Sequence, residues 1–488
     1  YDTIDWLVRN IPNNNGKVGM MGISYPGFYT AAGMIGSHPA LKAASPQAPI
    51  SDWFIGDDFH HNGVFYLAHA FGFLSRFGQT LEEPTRMDPQ PFDFKTPDGY
   101  EFYLNIGPLA NVEKKLFKGK ISFWKELMEH SDYDPFWQQR NLLPHLSGVK
   151  AAVMTVGGWF DAEDLYGPLK IYKAVEQKNP DAFNILVMGP WAHGGWSRGT
   201  GASLGSVSFR SNPSEYYRQN IEFPFLNHFL KDGPDPKLPE AMVFETGTFQ
   251  WRRYDAWPPK NTVEKKLHLQ AAGRLGFDSP SGSGAGFDEY VSDPSRPVPF
   301  IPNIAIGMTR EHMLDDQRFA SSRPDVLVYQ TDALDEDLTL AGPITARLKV
   351  STTGTDSDWV VKLIDVYPGD HPTPKNSTTP MGGYQQLVRG EAFRGKFRNS
   401  FQHPEPFEPG RVAGVNYSLP DVYHTFRRGH KIMVHVQSSW FPLVDRNPQT
   451  FVNIYTAGEE DFQKATQRVY RTPEADSHLT LRILQPSL

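Results

Sequence analysis

The chain's 488 residues leave room for about three domains of ordinary size. Lys and Arg number 48 against 55 Asp and Glu, a net charge of −7 with no basic block, which excludes a nucleic-acid binder. Apolar residues (39%) and aromatics (13%) exclude wholesale disorder, and the lack of cysteine excludes disulfides and thiol chemistry, while no apolar run nears the roughly 18 residues of a membrane-spanning helix.

In chain order, Ile4, Leu7, Val8 and Ile11 fall at helical spacing, and Pro12 with the Asn13–Gly16 turn ends that helix. Lys17–Ile23 reads as a short strand, Ser24–Gly27 as a turn, Phe28–Ile35 as a helix of small residues and Leu41–Ala44 as the next strand. Further on, Lys150–Val156 is a buried strand stopped by Gly157 and Gly158. Asp164–Val175 is a helix, and Asn184–Met188 a second buried strand stopped by Gly189 and Pro190. Strands alternating with helices predict an α/β fold with a mostly parallel, doubly wound sheet. Between Asp58 and Leu146 the alternation stops. Helix-like runs with Phe65, Tyr66, Phe71, Phe73, Phe123, Trp124, Phe136 and Trp137 predict a helical cap, these aromatics mostly forming its core.

From about Leu238 the period becomes two, in Val326–Tyr329, Ile344–Val350, Trp359–Val366, Lys431–Val436 and His478–Leu484, with turns such as the Gly/Ser-rich Ser279–Gly286 between such runs. That pattern predicts an all-β jelly-roll sandwich. The expected division is an α/β domain of residues 1–58 and 147–235, a cap of 59–146, and a jelly roll of 236–488.

Gly22-Ile23-Ser24-Tyr25-Pro26-Gly27 lies between the first strand and its helix. A serine on such a turn projects its hydroxyl clear of the sheet, and the next backbone N–H, from Tyr25, points at a developing oxyanion. The match to G-x-S-x-G is imperfect, since Pro26 takes the last small position and Gly27 falls one later. In the hydrolase order Ser, Asp, His, the partners are Asp161, after the strand ending at Gly158, and His193, after the strand ending at Gly189. Both stand at C-terminal strand ends, where open α/β sheets bind ligands. Of 16 histidines, His193 alone follows a buried α/β strand so closely.

The segment Gly16–Asp58, with Ala44–Pro49 and Gly56-Asp57-Asp58, resembles the X-Pro dipeptidyl-peptidase/cocaine-esterase class of serine hydrolases. So do Gly157-Gly158-Trp159-Phe160-Asp161 and Gly189-Pro190-Trp191-Ala192-His193-Gly194. Within that class the sequence is most similar to the α-amino acid ester hydrolases, nearly end to end. The resemblance implies Ser24 as nucleophile, His193 as general base, Asp161 as its orienting acid and the Tyr25 N–H as an oxyanion donor. It also implies that Asp58, Glu163 and Asp164 bind the substrate's α-ammonium. Three crowded carboxylates hold a cation strongly, and without one their repulsion raises at least one pKa. A solvated acidic loop, or a helix start favoured by its dipole, is the plain alternative for these acids.

The implied activity is cleavage or transfer of α-amino acyl groups from a small ester, amide or short peptide, with no cofactor. A general carboxylesterase or X-Pro dipeptidyl-peptidase is the nearest alternative, and a non-catalytic binding protein with a relic hydrolase domain the distant one. The resemblance further implies export to the periplasm or beyond and self-association into a homo-oligomer. The family's second oxyanion donor is a tyrosine well before the nucleophile. Only 23 residues precede Ser24, so the expectation is a truncated chain whose first sheet strands, tyrosine and export signal lie upstream of Tyr1. Two clusters suggest metal without completing a site: His60-His61, which point apart, and Asp356, Asp358 and Asp365, whose spacing fits no calcium loop. Both are expected to be ordinary surface.

Overall fold

The computed structural model describes residues 1–79, 83, 90–281, 286–375 and 377–486. The chain opens with helix α1 (Asp2–Asn10), strand β1 (Val18–Ile23), helix α2 (Tyr25–Gly33) and strand β2 (Leu41–Gln47). A two-residue hairpin, β3 (His60–His61) and β4 (Val64–Phe65), leads into helices α3 (Leu67–Phe77), α4 (Gly99–Ile106), α5 (Ser122–Glu129) and α6 (Pro135–Gln138). Strand β5 (Ala152–Gly158), helix α7 (Tyr166–Lys178) and strand β6 (Asn184–Gly189) follow. After the small hairpin β7 (Ser203–Leu204) and β8 (Val207–Ser208) come helices α8 (Pro213–Tyr217) and α9 (Phe223–Lys231), then strands β9 (Ala241–Glu245) and β10 (Gln250–Tyr254).

The first sheet has the order β1-β2-β5-β6-β9-β10, parallel up to β9, with β10 antiparallel at the end. It runs past the 235/236 division read from the sequence. The pleat sends alternate β5 residues to opposite faces: Val153 packs with Ala31, Met34, Ile171 and Val175, while Met154 and Val156 pack with Ile185, Val187, Trp196 and Phe225. Burial on both faces explains why the parallel strands read as continuous apolar runs. Helix α7 starts two residues later than its periodicity suggests, because Asp161 Oδ1 accepts the N–H groups of Glu163 and Asp164 (2.9 and 3.0 Å) and holds them in a turn ahead of the helix.

The remaining strands form an 11-stranded, largely antiparallel sheet folded about a core that includes Leu267, Leu348, Trp359, Val361, Val415, Tyr417 and Val434. Its period-two runs appear at Leu327–Gln330, Leu338–Thr352, Asp358–Val366, Lys431–Gln437 and His478–Leu484, and further strands include Gln385–Arg394 and Ala413–Phe426. Of the Ser279–Gly286 turn, residues 282–285 lie outside the described residues. The same core continues into the helices of 67–138 through Phe71, Trp124 and Trp137, so those helices are seated on the β-rich region as well as beside the first sheet. No helix among the described residues is long and apolar enough to cross a membrane.

The two metal-like clusters correct the expectation of ordinary surface. His60 is buried, its ring nitrogens meeting Trp53 O (3.0 Å) and Tyr455 Oη (2.6 Å), and buried His61 pairs with Glu391. Asp358 joins Arg394, which also binds Asp445 (2.6 Å), while Asp356 accepts from Asn447 and Asp365 lies between His424 and His430. These are internal polar networks held largely by protein partners, although His61 Nε2 and Asp445 Oδ2 lack one.

Candidate active site

Ser24 stands between β1 and α2 with φ 69° and ψ −133°, a backbone conformation that costs a non-glycine residue on the order of 1–3 kcal/mol. The surroundings force it. Ser24 N–H donates to Gln47 O at the end of β2 (3.0 Å), and Ser24 O accepts from Phe28 N (3.0 Å), which starts α2. Gly27 closes the turn: a Cβ there would meet Gln47 O at 2.4 Å. The small residue that the motif wants is therefore supplied one position late, and Pro26 sits in the first turn, where its missing N–H has no role. Helix α2 consequently begins at Tyr25, three residues earlier than the sequence reading, so the Tyr25 N–H belongs to the first turn, whose N–H groups have no partner within the helix.

Asp161 and His193 come from the loops after β5 and β6, and Gly158 brings those loops together. A Cβ at 158 would lie 2.2 Å from Trp191 O. Phe160 N–H donates to the same carbonyl (3.0 Å). Asp161 is wholly interior; its Oδ2 accepts from His193 Nδ1 at 2.9 Å, and its Oδ1 takes the two loop N–H groups. Burial works against the carboxylate, but the His193 charge and hydrogen bond, with those N–H groups, hold it below the ordinary aspartate value.

His193 sits among acids. Its Nε2 is 3.6 Å from Glu163 Oε2, and its Nδ1 is 3.9 Å from Asp164 Oδ2. Burial disfavours the imidazolium, yet Asp161, Glu163 and Asp58 outweigh it and push the group up to about 10.

The structure brings Asp58, Glu163 and Asp164 together but does not give them equal places. Asp58 and Glu163 line a cavity of about 600 Å³ that also reaches Ser24 and Tyr25. The Asp58 N–H donates to Glu163 O (3.1 Å), which locks the two loops. Asp164 lies behind them, fully buried, with neither carboxyl oxygen hydrogen-bonded. Burial, then repulsion from Asp58, Asp57, Asp161 and Glu163, raises it well above the usual carboxylate range. The rise expected from crowding is there, with desolvation as its larger cause.

Sequence reasoning missed two residues of this site. His69, on α3, lines the cavity and places Nε2 3.3 Å from Asp58 Oδ1. Burial lowers its proton affinity, but Glu163 and Asp58 reverse the sign, and it stays above the ordinary histidine value. Asp57, wholly buried, accepts from Ser51 N and Oγ, Asp52 N and Gly167 N, tying the Asp58 loop to α7. The Asp57-Asp58 doublet was the one signal for the latter; nothing distinguished His69 from other helix histidines. The rest of the cavity is mostly aromatic, with Phe28, Tyr29, Trp53, Phe59, Phe73, Phe77 and Phe123 beside Leu74 and Gly78. Phe73 and Phe123 thus line the cavity, whereas Phe65, Phe71, Trp124 and Trp137 are core as expected.

A serine on a strained strand-to-helix turn, with a buried Asp–His pair on two later strand ends of a parallel sheet, is the arrangement of α/β-hydrolase serine hydrolases. The comparisons with known proteins narrow this. The profile of the X-Pro dipeptidyl-peptidase (S15) family matches residues 1–195, and that of the X-Pro dipeptidyl-peptidase C-terminal non-catalytic domain matches residues 232–480. The chain belongs to the X-Pro dipeptidyl-peptidase/cocaine-esterase class and is a serine hydrolase. It is 28% identical to a cocaine esterase of Rhodococcus sp., over 99% of this chain and 83% of that one. Two solved structures superpose with a TM-score of 0.93 over 99% of this chain and 79% of theirs: an aminopeptidase from a marine sediment archaeon of the Thaumarchaeota, 42% identical, and an α-amino acid ester hydrolase, 39% identical.

Proposed function

We propose that this serine hydrolase acts on acyl donors carrying a free α-ammonium, as amino acid esters or amino-terminal peptide bonds, through an acyl-enzyme. The observation that carries the reading is the pair of carboxylates, Asp58 and Glu163, set in the wall of an aromatic cavity that opens on Ser24. An apolar side chain fills the aromatic part, the ammonium meets the acids, and the carbonyl is left over Ser24. In this mechanism His193 Nε2 takes the Ser24 proton as Oγ attacks, and the carbonyl electron pair moves to an oxygen facing the Tyr25 N–H. The collapsing intermediate expels the leaving group, which receives the proton from His193; water then repeats the sequence. Asp161 fixes the tautomer. Asp164, held well above the usual carboxylate range by burial and its acidic neighbours, backs the two acids. The similarity to both an aminopeptidase and an α-amino acid ester hydrolase supports the reading, since each name describes a substrate with a free α-amine. The division into sheet domain, helical cap and β-rich region supports it too, with the cap supplying Phe73, Phe77 and Phe123.

The test compares phenylglycine methyl ester with methyl phenylacetate. Asp58→Asn should lower kcat/KM about 10- to 150-fold on the amino ester, the equivalent of a charge-assisted bond of about 1.5–3 kcal/mol, and far less on the other. The wild-type preference should fade as pH rises through the substrate amine's pKa, near 8 for a free α-amine, because the neutral amine loses its attraction to the acids. Equal losses on both esters would leave a general esterase.

A further inference from the structure

The ammonium-binding acids and the catalytic base share one side chain. Glu163 lines the cavity beside Asp58, and its Oε2 also stands 3.6 Å from Nε2 of His193, the nitrogen that must receive the Ser24 proton. No hydrogen bond joins His193 to Ser24 among the described residues; the ring has Asp161 on one nitrogen and Glu163 near the other.

We propose that Glu163 couples substrate recognition to the base: in the empty enzyme it holds His193 as an imidazolium, and a bound substrate ammonium draws Glu163 away and frees Nε2 for Ser24. The coupling rests on the ammonium reading above. The groups facing the ring are Asp161, Glu163 and Asp164 from its partner loop, Asp58 from the loop after β2, and His69 from α3. The charges of Asp161, Glu163 and Asp58 favour a proton on His193, consistent with its upward shift, and His69 is a second histidine held by Asp58. An ammonium in the same field opposes that proton. One proton then leaves His193 to solvent, the neutral Nε2 accepts the Ser24 proton during attack, and the leaving group carries that proton off. The substrate's own charge thereby switches on the base, so a des-amino substrate suffers in kcat as well as in KM.

The experiment follows kcat against pH for the two methyl esters, with and without methylammonium. Wild type should turn over the amino ester at neutral pH but require alkaline pH for methyl phenylacetate, each unit of separation between the midpoints being about tenfold in rate. Methylammonium, which fills the acidic end of the cavity, should raise the phenylacetate kcat several-fold at pH 7 and leave the amino ester unaffected or inhibited. Glu163→Gln should move the phenylacetate midpoint to lower pH, raise its kcat at pH 7 and abolish the methylammonium effect; Glu163→Asp should retain part of it. The wild-type measurements decide the matter even if a variant folds poorly. Coincident midpoints with a preference confined to KM would overturn the coupling and keep the ammonium reading. No preference for the amino ester at all would overturn both.

Discussion

Among the described residues two buried aspartates, Asp161 and Asp365, pair with histidines, in two regions and in different company. In the first sheet Asp161 accepts from His193 (2.9 Å); in the β-rich region Asp365 lies between His430 (2.8 Å) and His424 (3.1 Å). Burial opposes both carboxylates, and in both the histidines reverse it and hold the acid below its ordinary value. The company of the histidines differs. The far nitrogen of His424 meets Thr246 Oγ1 (2.8 Å), just beyond β9, so the chain of contacts ties the two sheets together. The far nitrogen of His193 lies 3.6 Å from Glu163, which itself lines the cavity that reaches Ser24. The two pairs differ in what the second nitrogen meets: Thr246 makes a staple of His424, whereas Glu163 stands beside the proposed base His193.

Breaking the first pair at its functional end should have the largest effect. Ser24→Ala or His193→Ala should each lower kcat by about 10⁶, with the double variant little worse, since such residues act as a unit; near-additive losses in a rate assay would mean that the roles are misassigned. The same substitution at the two aspartates sharpens the contrast. Asp161→Asn should cost about 10⁴ in kcat through the wrong imidazole tautomer while shifting the thermal midpoint little. Asp365→Asn should do the reverse, leaving kcat within about twofold and destabilising the protein by about 1–3 kcal/mol in denaturant melts, the usual penalty for unsatisfied buried polar groups.

Much of this site was legible because the α/β architecture puts chemistry at strand ends, where Gly-Gly and Gly-Pro punctuation marks Asp161 and His193. The strand-to-helix turn at Ser24 was legible despite its irregular motif, and the structure explains the irregularity through the close approach of Gly27 to Gln47. What stayed hidden depends on contacts distant in sequence. Arg394 meets Asp445 across 51 residues and Asp358 across 36, and no local pattern records such a network, so three buried acids read as surface. Phe71 and Phe73 lie two residues apart on α3 and so point to different sides of the helix, one into the core and the other into the cavity wall; the cluster of aromatics alone does not say which side lines a void. Similarly, acidity marked Asp164 as a cluster member but not as its buried rear.

The turn at Ser24 makes this enzyme less stable than its own inactive variant. Because φ 69° and ψ −133° suit glycine, Ser24→Gly removes the proposed nucleophile and the conformational cost together, and the folded state should gain up to about 1 kcal/mol, offset in part by the greater freedom of glycine in the unfolded chain. Ser24→Ala, which keeps a Cβ in the same conformation, should gain nothing comparable, and paired chemical melts would read the difference. Selection for stability alone, with activity unscreened, would therefore favour glycine at position 24.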